Sequence, residues 1–473
     1  MSPFMRIFLL VLIMGLSLLY KNINNLLGPV PAPKLPLDQW WGDGKRPKDW
    51  SEYVTNTSEV INNRIVFADS TIEDLRTQLN RTLRLVEPLE GVAFQYGFNS
   101  HHLKEIVDYW RDDYLPRWRE REVFLWQFNQ FTTEIQGLRM HFLHLMVYDE
   151  NKMGKKHYPV LLLHGWPGSV REFYSIINKL HVPKKSDDYI FDVIVPSLPG
   201  YGWSQGSSKP GLGPAQVAVI IRNLMLRLGY RKFFVQGGDW GSVIGANIAT
   251  LYPESVLGYH SNMCNNLSPK AALKGFIANL LPSFFAPEGF RDLFFPQSKK
   301  LSYLIEESGY FHIQSTKPDT IGHALTDNPV GLAAYILEKF STWTNPNYRN
   351  LTDGGLTKRY KIDTLLDNLM IYYLTNSITT SQRLYAEAHS KANMGLQMDR
   401  VPTDVPTGCA RFKYDIMHFL DFQLKDKFTN LIHSTYYGKG GHFIAMEAPS
   451  LLFDDFIEFV RKVEKLFPKR FQY

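Results

Sequence analysis

The stretch Lys232-Phe-Phe-Val-Gln-Gly-Gly-Asp-Trp-Gly-Ser242 decides how this chain is read. Phe233, Phe234 and Val235 form an apolar run with the character of a buried strand, and residues 243–251 behind it have the character of a helix. Gly237 and Gly241 stand two residues either side of Asp239. Glycines at those places permit a sharp, strained strand-to-helix turn that lifts the central side chain above a sheet, the setting in which a serine nucleophile is usually presented. Here that side chain is a carboxylate. A carboxylate attacks an sp3 carbon, opening an epoxide or displacing a halide, and leaves an ester whose carbonyl belongs to the protein and must be cleared by water.

Strand and helix signals alternate around this turn: strands at 129–135, 138–146, 158–163, 191–195, 232–236 and 257–262, and helices at 214–228 and 243–251. Alternation of this kind predicts a mostly parallel sheet covered by helices on both faces, the α/β-hydrolase arrangement. After Asn265 the pattern breaks into helix-rich segments (271–280, 299–308, 331–340, 362–374, 381–389), and the sheet signal returns only at 407–414. An insertion of that size over the carboxyl edge of the sheet predicts a lid. The expected organisation is therefore an anchor over 1–27, a strap and helical region over 28–128, a first core part over 129–265, a helical lid over 266–406, and a second core part over 407–473.

Residues 7–20 are uncharged and apolar, between Arg6 and Lys21. As helix they cover only about 21 Å of a bilayer core of roughly 30 Å, so a secretory signal segment competes with a membrane anchor. No A-x-A cleavage pattern comes after them, and Phe4, Leu26 and Leu27 lengthen the apolar stretch, so a retained anchor is expected. Lys21, Lys34, Lys45 and Arg46 favour the cytosol for the chain beyond the anchor. Prolines and glycines in 28–48, with Trp40 and Trp41, read as an extended strap. Residues 70–127 read as mainly helical: Asp69-Ser-Thr-Ile-Glu73 is a start signal, and Leu103, Ile106, Val107 and Trp110 keep helical spacing.

The composition is that of a globular protein: 473 residues, 44% hydrophobic, 21% charged and 14% aromatic, with a net charge of +6. That charge is mild at this length, and no basic run interleaved with aromatics points to nucleic acid. The two cysteines, Cys264 and Cys409, are far apart and lack metal-ligand spacing. They indicate neither a disulfide framework nor a zinc site, and a reducing compartment fits. Sequons occur at Asn56, Asn80, Asn266 and Asn350.

Three further elements complete a catalytic reading. His164-Gly-Trp-Pro-Gly168 follows a buried strand; such a turn offers one backbone N–H to an oxyanion, here from Trp166, and the residue after the nucleophile, Trp240, offers the second. His442, in Gly440-Gly-His-Phe443, is the last histidine, lies in a glycine loop and precedes a helix at 449–466, the chain position expected of a general base. Asp415, closing the strand that resumes after the insertion, is the acid expected to orient that imidazole, ahead of Asp421 and Asp426 in a charged segment. Opening an epoxide also requires an acid for the departing alkoxide. Lid tyrosines suit that task, but composition cannot choose among 25.

These motifs resemble the microsomal epoxide hydrolase family, above all its insect juvenile hormone epoxide hydrolase branch. The resemblance runs from the apolar N-terminus and Trp40-Trp41 through His164-Gly-Trp-Pro-Gly168, Pro196-Ser-Leu-Pro-Gly-Tyr-Gly-Trp-Ser204 and Gly237-Gly-Asp-Trp-Gly-Ser242. It continues in Glu307-Ser-Gly-Tyr310, the 329–343 segment, Ser381-Gln-Arg-Leu-Tyr385 and Gly440-Gly-His-Phe443. It implies Asp239 as nucleophile, His442 as base, and Tyr310 and Tyr385 as the phenols that polarise the epoxide oxygen. It also implies no cofactor or metal, a small lipophilic epoxide as substrate, and the endoplasmic-reticulum membrane as location. One departure stands out: the vertebrate-like family pattern closes the late strand with Glu, and Asp415 is one methylene shorter, so its bond to His442 calls for a local shift or a water. Two other readings stay open at this point. A haloalkane dehalogenase shares the fold and an Asp-Trp pair, and a non-catalytic protein that binds hydrophobic ligands can be built on the same scaffold.

Overall fold

The computed structural model describes residues 21–472 apart from 22, 57–59, 63, 65, 82, 149–153, 183 and 185–187. The expected anchor segment, residues 7–20, lies outside the described residues. Among those described, no helix is long and apolar enough to cross a membrane.

The molecule is built on one nine-stranded sheet of order β1-β2-β3-β5-β4-β6-β7-β8-β9. Its strands are β1 (Ile61–Asn62), β2 (Gln130–Ile135), β3 (Leu138–Leu145), β4 (Lys156–Leu163), β5 (Tyr189–Pro196), β6 (Phe233–Gly237), β7 (Val256–Ser261), β8 (Thr407–Phe412) and β9 (Leu431–Tyr437). From β5 to β9 every pairing is parallel; β1, β2 and β3 add an antiparallel margin. All eight residues of β5 are buried, as a parallel strand covered on both faces requires.

The longer helices, in chain order, are α1 (Asp69–Leu79), α2 (Ser100–Tyr109), α3 (Trp118–Leu125), α4 (Tyr174–His181), α5 (Pro214–Arg227), α6 (Asp239–Leu251), α7 (Pro269–Leu280), α8 (Gln297–Glu307), α9 (Gly309–Thr316), α10 (Pro318–Thr326), α11 (Pro329–Thr342), α12 (Ile362–Thr375), α13 (Ser377–Ala388) and α14 (Pro449–Leu466). The expected α/β-hydrolase sheet is therefore present, and α7 to α13 all fall between β7 and β8. Helix α6 begins at Asp239 itself, four residues before the sequence pattern places it. Strand β9 has no sequence signal, because Leu-Ile-His-Ser-Thr-Tyr-Tyr neither alternates nor forms an apolar run; it is the half-buried edge of the sheet.

Helix α12 is tied to the core by buried polar contacts. Asp367 is fully buried and receives hydrogen bonds from Arg171 (2.9 Å), Arg121 (2.9 Å) and the Tyr114 hydroxyl (3.0 Å). Next to it the Asn368 amide donates to the Pro167 carbonyl (2.8 Å), and about a turn on Tyr372 donates to that of Gly168 (2.7 Å). The strap is anchored in the same manner: the Trp41 N–H donates to the Gln136 carbonyl (2.8 Å), and its indole is buried.

The cysteine reading is corrected by the structure. Cys264 and Cys409 form a disulfide with their Cα atoms 5.8 Å apart, although 145 residues separate them in sequence. Strands β7 and β8 pair with Ser261 opposite Cys409, and Cys264 follows β7 by three residues, so the sheet pairing brings the two segments together. A reducing compartment is thus no longer what these cysteines indicate. Of the sequons, Asn266 is buried, and its amide donates to the Gln423 carbonyl, which leaves it no room for a glycan.

Helix α14 is held against the sheet by a buried cluster. Asp455 accepts from His260 on β7 (2.8 Å) and from three β9 residues: His433 (3.1 Å), Thr435 (2.6 Å) and Tyr437 (2.6 Å). Removing one partner of such a cluster leaves several buried donors without an acceptor, so Asp455→Ala is expected to cost about 3–5 kcal/mol in urea unfolding. A loss under about 1 kcal/mol would show that water replaces the carboxylate.

Candidate active site

The turn after β6 has the geometry its glycines anticipate. Asp239 has φ +49°, a left-handed conformation that a side-chain-bearing residue adopts only where the surroundings impose it. What imposes it is close backbone packing: a Cβ on Gly241 would lie 2.0 Å from the Leu163 carbonyl oxygen, and one on Gly237 would lie 2.5 Å from the carbonyl of Gly241. Gly165 leaves room for the carboxylate itself, since a Cβ there would come within 2.1 Å of Asp239 Oδ1.

Asp239 Oδ1 accepts a hydrogen bond from the Trp166 backbone N–H at 2.8 Å. Trp240, the next residue, lies in the first turn of α6, where its N–H has no intrahelical partner. His164 holds the Trp166 turn in place. Its Nε2 accepts from the Leu198 N–H (3.1 Å) and its Nδ1 donates to the Gly165 carbonyl (3.0 Å). Burial lowers its pKa to about 4, which keeps the ring neutral in that double role.

The structure brings Asp239, His442 and Asp415 into one line. His442 Nδ1 lies 2.7 Å from Asp415 Oδ1, and its Nε2 lies 3.5 Å from Asp239 Oδ2. The shorter acid thus reaches the imidazole directly, with no water between them; the Ile416 N–H also donates to that same oxygen (2.7 Å). Asp421 instead pairs with Arg411 (2.6 Å), and Asp426 with Lys270 and Lys274. Burial opposes protonation of His442, but Asp415 and Asp239 outweigh it and push the pKa up to about 10.

Tyr310 on α9 and Tyr385 on α13 converge on the same carboxylate. Tyr310 stacks on the Trp166 indole (centroids 5.3 Å, interplanar 6°), and Tyr385 stands edge-on to that of Trp240 (4.8 Å, 86°). The two residues that offer backbone N–H groups therefore also support the two phenols with their side chains. Burial, and then the charge of Asp239, raise both phenols well above the ordinary tyrosine range, so both remain proton donors.

Two acids that the sequence motifs do not single out belong to this site. Glu447 accepts from the N–H groups of Gly441 (2.9 Å) and Phe443 (3.1 Å), bracketing His442 and fixing its loop. Glu172 lines a cavity of about 10 Å³ together with Asp239, His442, Trp166 and Gly168, a space that suits roughly one water. Burial pushes the Glu172 carboxyl up to about 8, with His442 opposing and Asp239 adding to the rise. The signals are faint: an acid four residues beyond Gly168, and another five beyond His442.

Fold and site together define an α/β-hydrolase with a carboxylate at its nucleophile turn. A family model for the epoxide hydrolase N terminus matches residues 60–173, and one for the alpha/beta hydrolase fold matches 158–390. Juvenile hormone epoxide hydrolase 1 of Ctenocephalides felis is 46% identical over 465 residues, spanning 98% of this chain and 97% of that protein. Epoxide hydrolase 1 of Oryctolagus cuniculus is 44% identical over 437 residues, 91% of this chain and 94% of its own. The crystal structure of juvenile hormone epoxide hydrolase from the silkworm Bombyx mori superposes with a TM-score of 0.86 at 43% identity, covering 91% of this chain and 100% of that one. The chain belongs to the microsomal epoxide hydrolase family, alongside the juvenile hormone epoxide hydrolases, and is an epoxide-hydrolysing enzyme.

The raised pKa of His442 links the site to stability. A group whose pKa rises on folding, here from 6.5 to about 10, adds stability that is complete below the unfolded value and lost as pH climbs through the folded one. Unfolding free energy should therefore fall between pH 8 and 10, above the Glu172 transition, and His442→Gln should flatten that slope. An equal slope in the variant would sink the assignment.

Proposed function

We propose that this enzyme converts lipophilic epoxides, foremost juvenile hormone and related terpenoid or fatty epoxides and also xenobiotic ones, to diols through an ester on Asp239. The observation that carries this reading is the setting of that carboxylate: Oδ1 on the Trp166 N–H, Oδ2 toward His442, and two buried phenols nearby.

Asp239 Oδ2 attacks an epoxide carbon and the ring C–O bond breaks. A phenol of Tyr310 or Tyr385 passes its proton to the departing oxygen while the other donates a hydrogen bond. In the free site His442 is imidazolium, held so by two carboxylates. Alkylation neutralises one of them, and His442 can then return its proton to the tyrosinate and become a neutral base when a base is needed. Water in the cavity beside Glu172 gives a proton to His442 and attacks the ester carbonyl, whose oxyanion the N–H groups of Trp166 and Trp240 receive. The adduct collapses by breaking the bond from its carbon to the substrate oxygen, and the departing alkoxide takes the proton left on the water-derived hydroxyl; the diol leaves with Asp239 ionised and His442 protonated once more. No cofactor or metal takes part.

Helices α7 to α13 act as the lid, and α9 and α13 supply its two phenols. In this reading the helices over Asp239 move to admit a terpenoid, since the cavity beside the carboxylate is small. The phenols favour an alkoxide over a halide as the group expelled, which sets the dehalogenase reading aside. We place the enzyme on the endoplasmic-reticulum membrane through residues 7–20.

Single turnover in oxygen-18 water, followed by digestion, should put label into Asp239; label found only in the diol would refute the ester. In His442→Gln the ester should form and persist, with turnover lower by about 10²–10⁴-fold. Tyr310→Phe with Tyr385→Phe should block its formation instead. Glu172→Gln should slow ester hydrolysis and spare ester formation in rapid-quench measurements; equal loss in both steps would reduce Glu172 to packing.

A further inference from the structure

Helix α7 packs inside out. Its small residues Ala271, Gly275 and Ala278, at i, i+4 and i+7, are the buried ones. Its bulky apolar residues Leu273, Phe276, Ile277 and Leu280, with Leu281 and Phe284 just beyond, are between 40 and 81% exposed. The four within α7 fall at i, i+3, i+4 and i+7, a stripe along one face; the helix stops at Leu280, and Phe284 lies in the short helix Pro282–Phe285 that follows. A helix at a water-facing surface ordinarily does the reverse, and an apolar stripe of this length marks a surface that is covered in use.

Three observations say what covers it. Helix α7 contains no acidic residue, and its two cations, Lys270 and Lys274, pair with Asp426 at the base of the helix, so the stripe itself carries no charge. The start of α7 is also linked, through Asp399 and Arg400, to residues 25–28, which follow the apolar N-terminal run of the sequence. The Arg400 guanidinium donates to the carbonyls of Asn25 (2.7 Å) and Gly28 (2.8 Å), and neighbouring Asp399 accepts from the backbone of Leu267, itself exposed and two residues before α7. Finally, the following helix α8 exposes Leu301, Leu304 and Ile305, again at i, i+3 and i+4, and is tied to α7 by Gln297, whose amide donates to the Gly275 carbonyl (2.8 Å).

We propose that the α7 stripe is a bilayer-contact surface, lying in the headgroup–acyl boundary of a phospholipid membrane beside the N-terminal apolar segment. Residues 7–20 tether the chain; α7 orients it, with the helices over Asp239 turned toward the phase in which lipophilic epoxides dissolve. The contact itself is independent of the chemistry at Asp239, and only the benefit to substrate supply rests on the proposed function.

Both native cysteines are in the disulfide, so an introduced cysteine is the one free thiol. Full-length Leu280→Cys and Phe284→Cys carrying an environment-sensitive fluorophore are bound to phosphatidylcholine–phosphatidylserine vesicles containing spin-labelled lipid. Ile23→Cys reports the N-terminal tether and Val86→Cys an exposed site elsewhere. Quenching at 280 and 284 should exceed that at 86 several-fold. Quenching at 280 and 284 no greater than at 86, with 23 quenched, overturns the proposal while leaving the tether and the epoxide chemistry intact. Protection without lipid quenching, accompanied by cross-links between copies, overturns it in favour of a second copy. The variant F276S/L280S/F284S should keep kcat/KM on a water-soluble epoxide and raise apparent KM several-fold for a long-chain epoxide presented in those vesicles; an unchanged vesicle KM also counts against it.

Discussion

Two backbones meet at the centre of this molecule with no space for a methyl group between them. Gly241, in the first turn of α6, lies against the Leu163 carbonyl at the end of β4, and Gly237 closes on Gly241. That contact forces Asp239 into a left-handed conformation and points its carboxylate over the sheet edge at the Trp166 N–H. The rest of the site depends on it. The turn that carries Trp166 is held by His164 from one side and by α12 from the other, through Asn368 and Tyr372. A larger residue at position 237 or 241 would move the Asp239 carboxylate away from both the Trp166 N–H and His442.

The second organising feature is an imidazole between two carboxylates. A histidine in that position is electrostatically committed to its proton until one of its neighbours loses its charge. In the proposed mechanism the substrate itself removes that charge by esterifying Asp239. The base is therefore generated by the first step, and the site requires no separate signal to order its two halves. Glu447 keeps the arrangement rigid by gripping the N–H groups on both sides of His442, so the ring has little freedom to swing toward either acid alone.

Much of this is legible in the sequence, for identifiable reasons. The nucleophile turn, the Trp166 turn and the His442 loop are each contiguous strings whose glycines have one steric purpose, and the strand-helix alternation of the core repeats often enough to be recognised. Asp415 can be chosen over Asp421 and Asp426 because it closes a strand, and the two rivals turn out to be paired with Arg411 and with lysines. What escapes depends on register and on long-range packing. Glu172 and Glu447 act through where their helices place them, and nothing in their neighbouring residues distinguishes them from surface acids. The disulfide rests on the pairing of β7 with β8 across an insertion of more than a hundred residues, a relation that spacing cannot reveal. Tyr310 and Tyr385 can be named only by resemblance, since 25 tyrosines offer no internal ranking.

The disulfide has a further consequence for a protein that handles strained three-membered rings. An epoxide alkylates any accessible soft nucleophile, thiolates above all, and the thioether that results is permanent under physiological conditions. Both sulfhydryl groups of this chain are withdrawn into Cys264–Cys409, so no cysteine is left to be consumed by the very compounds being processed. In the proposed mechanism the nucleophile presented to them is instead an oxygen whose bond to carbon water can undo. A catalyst composed in this way offers such a reagent no thiol on which a permanent adduct could form.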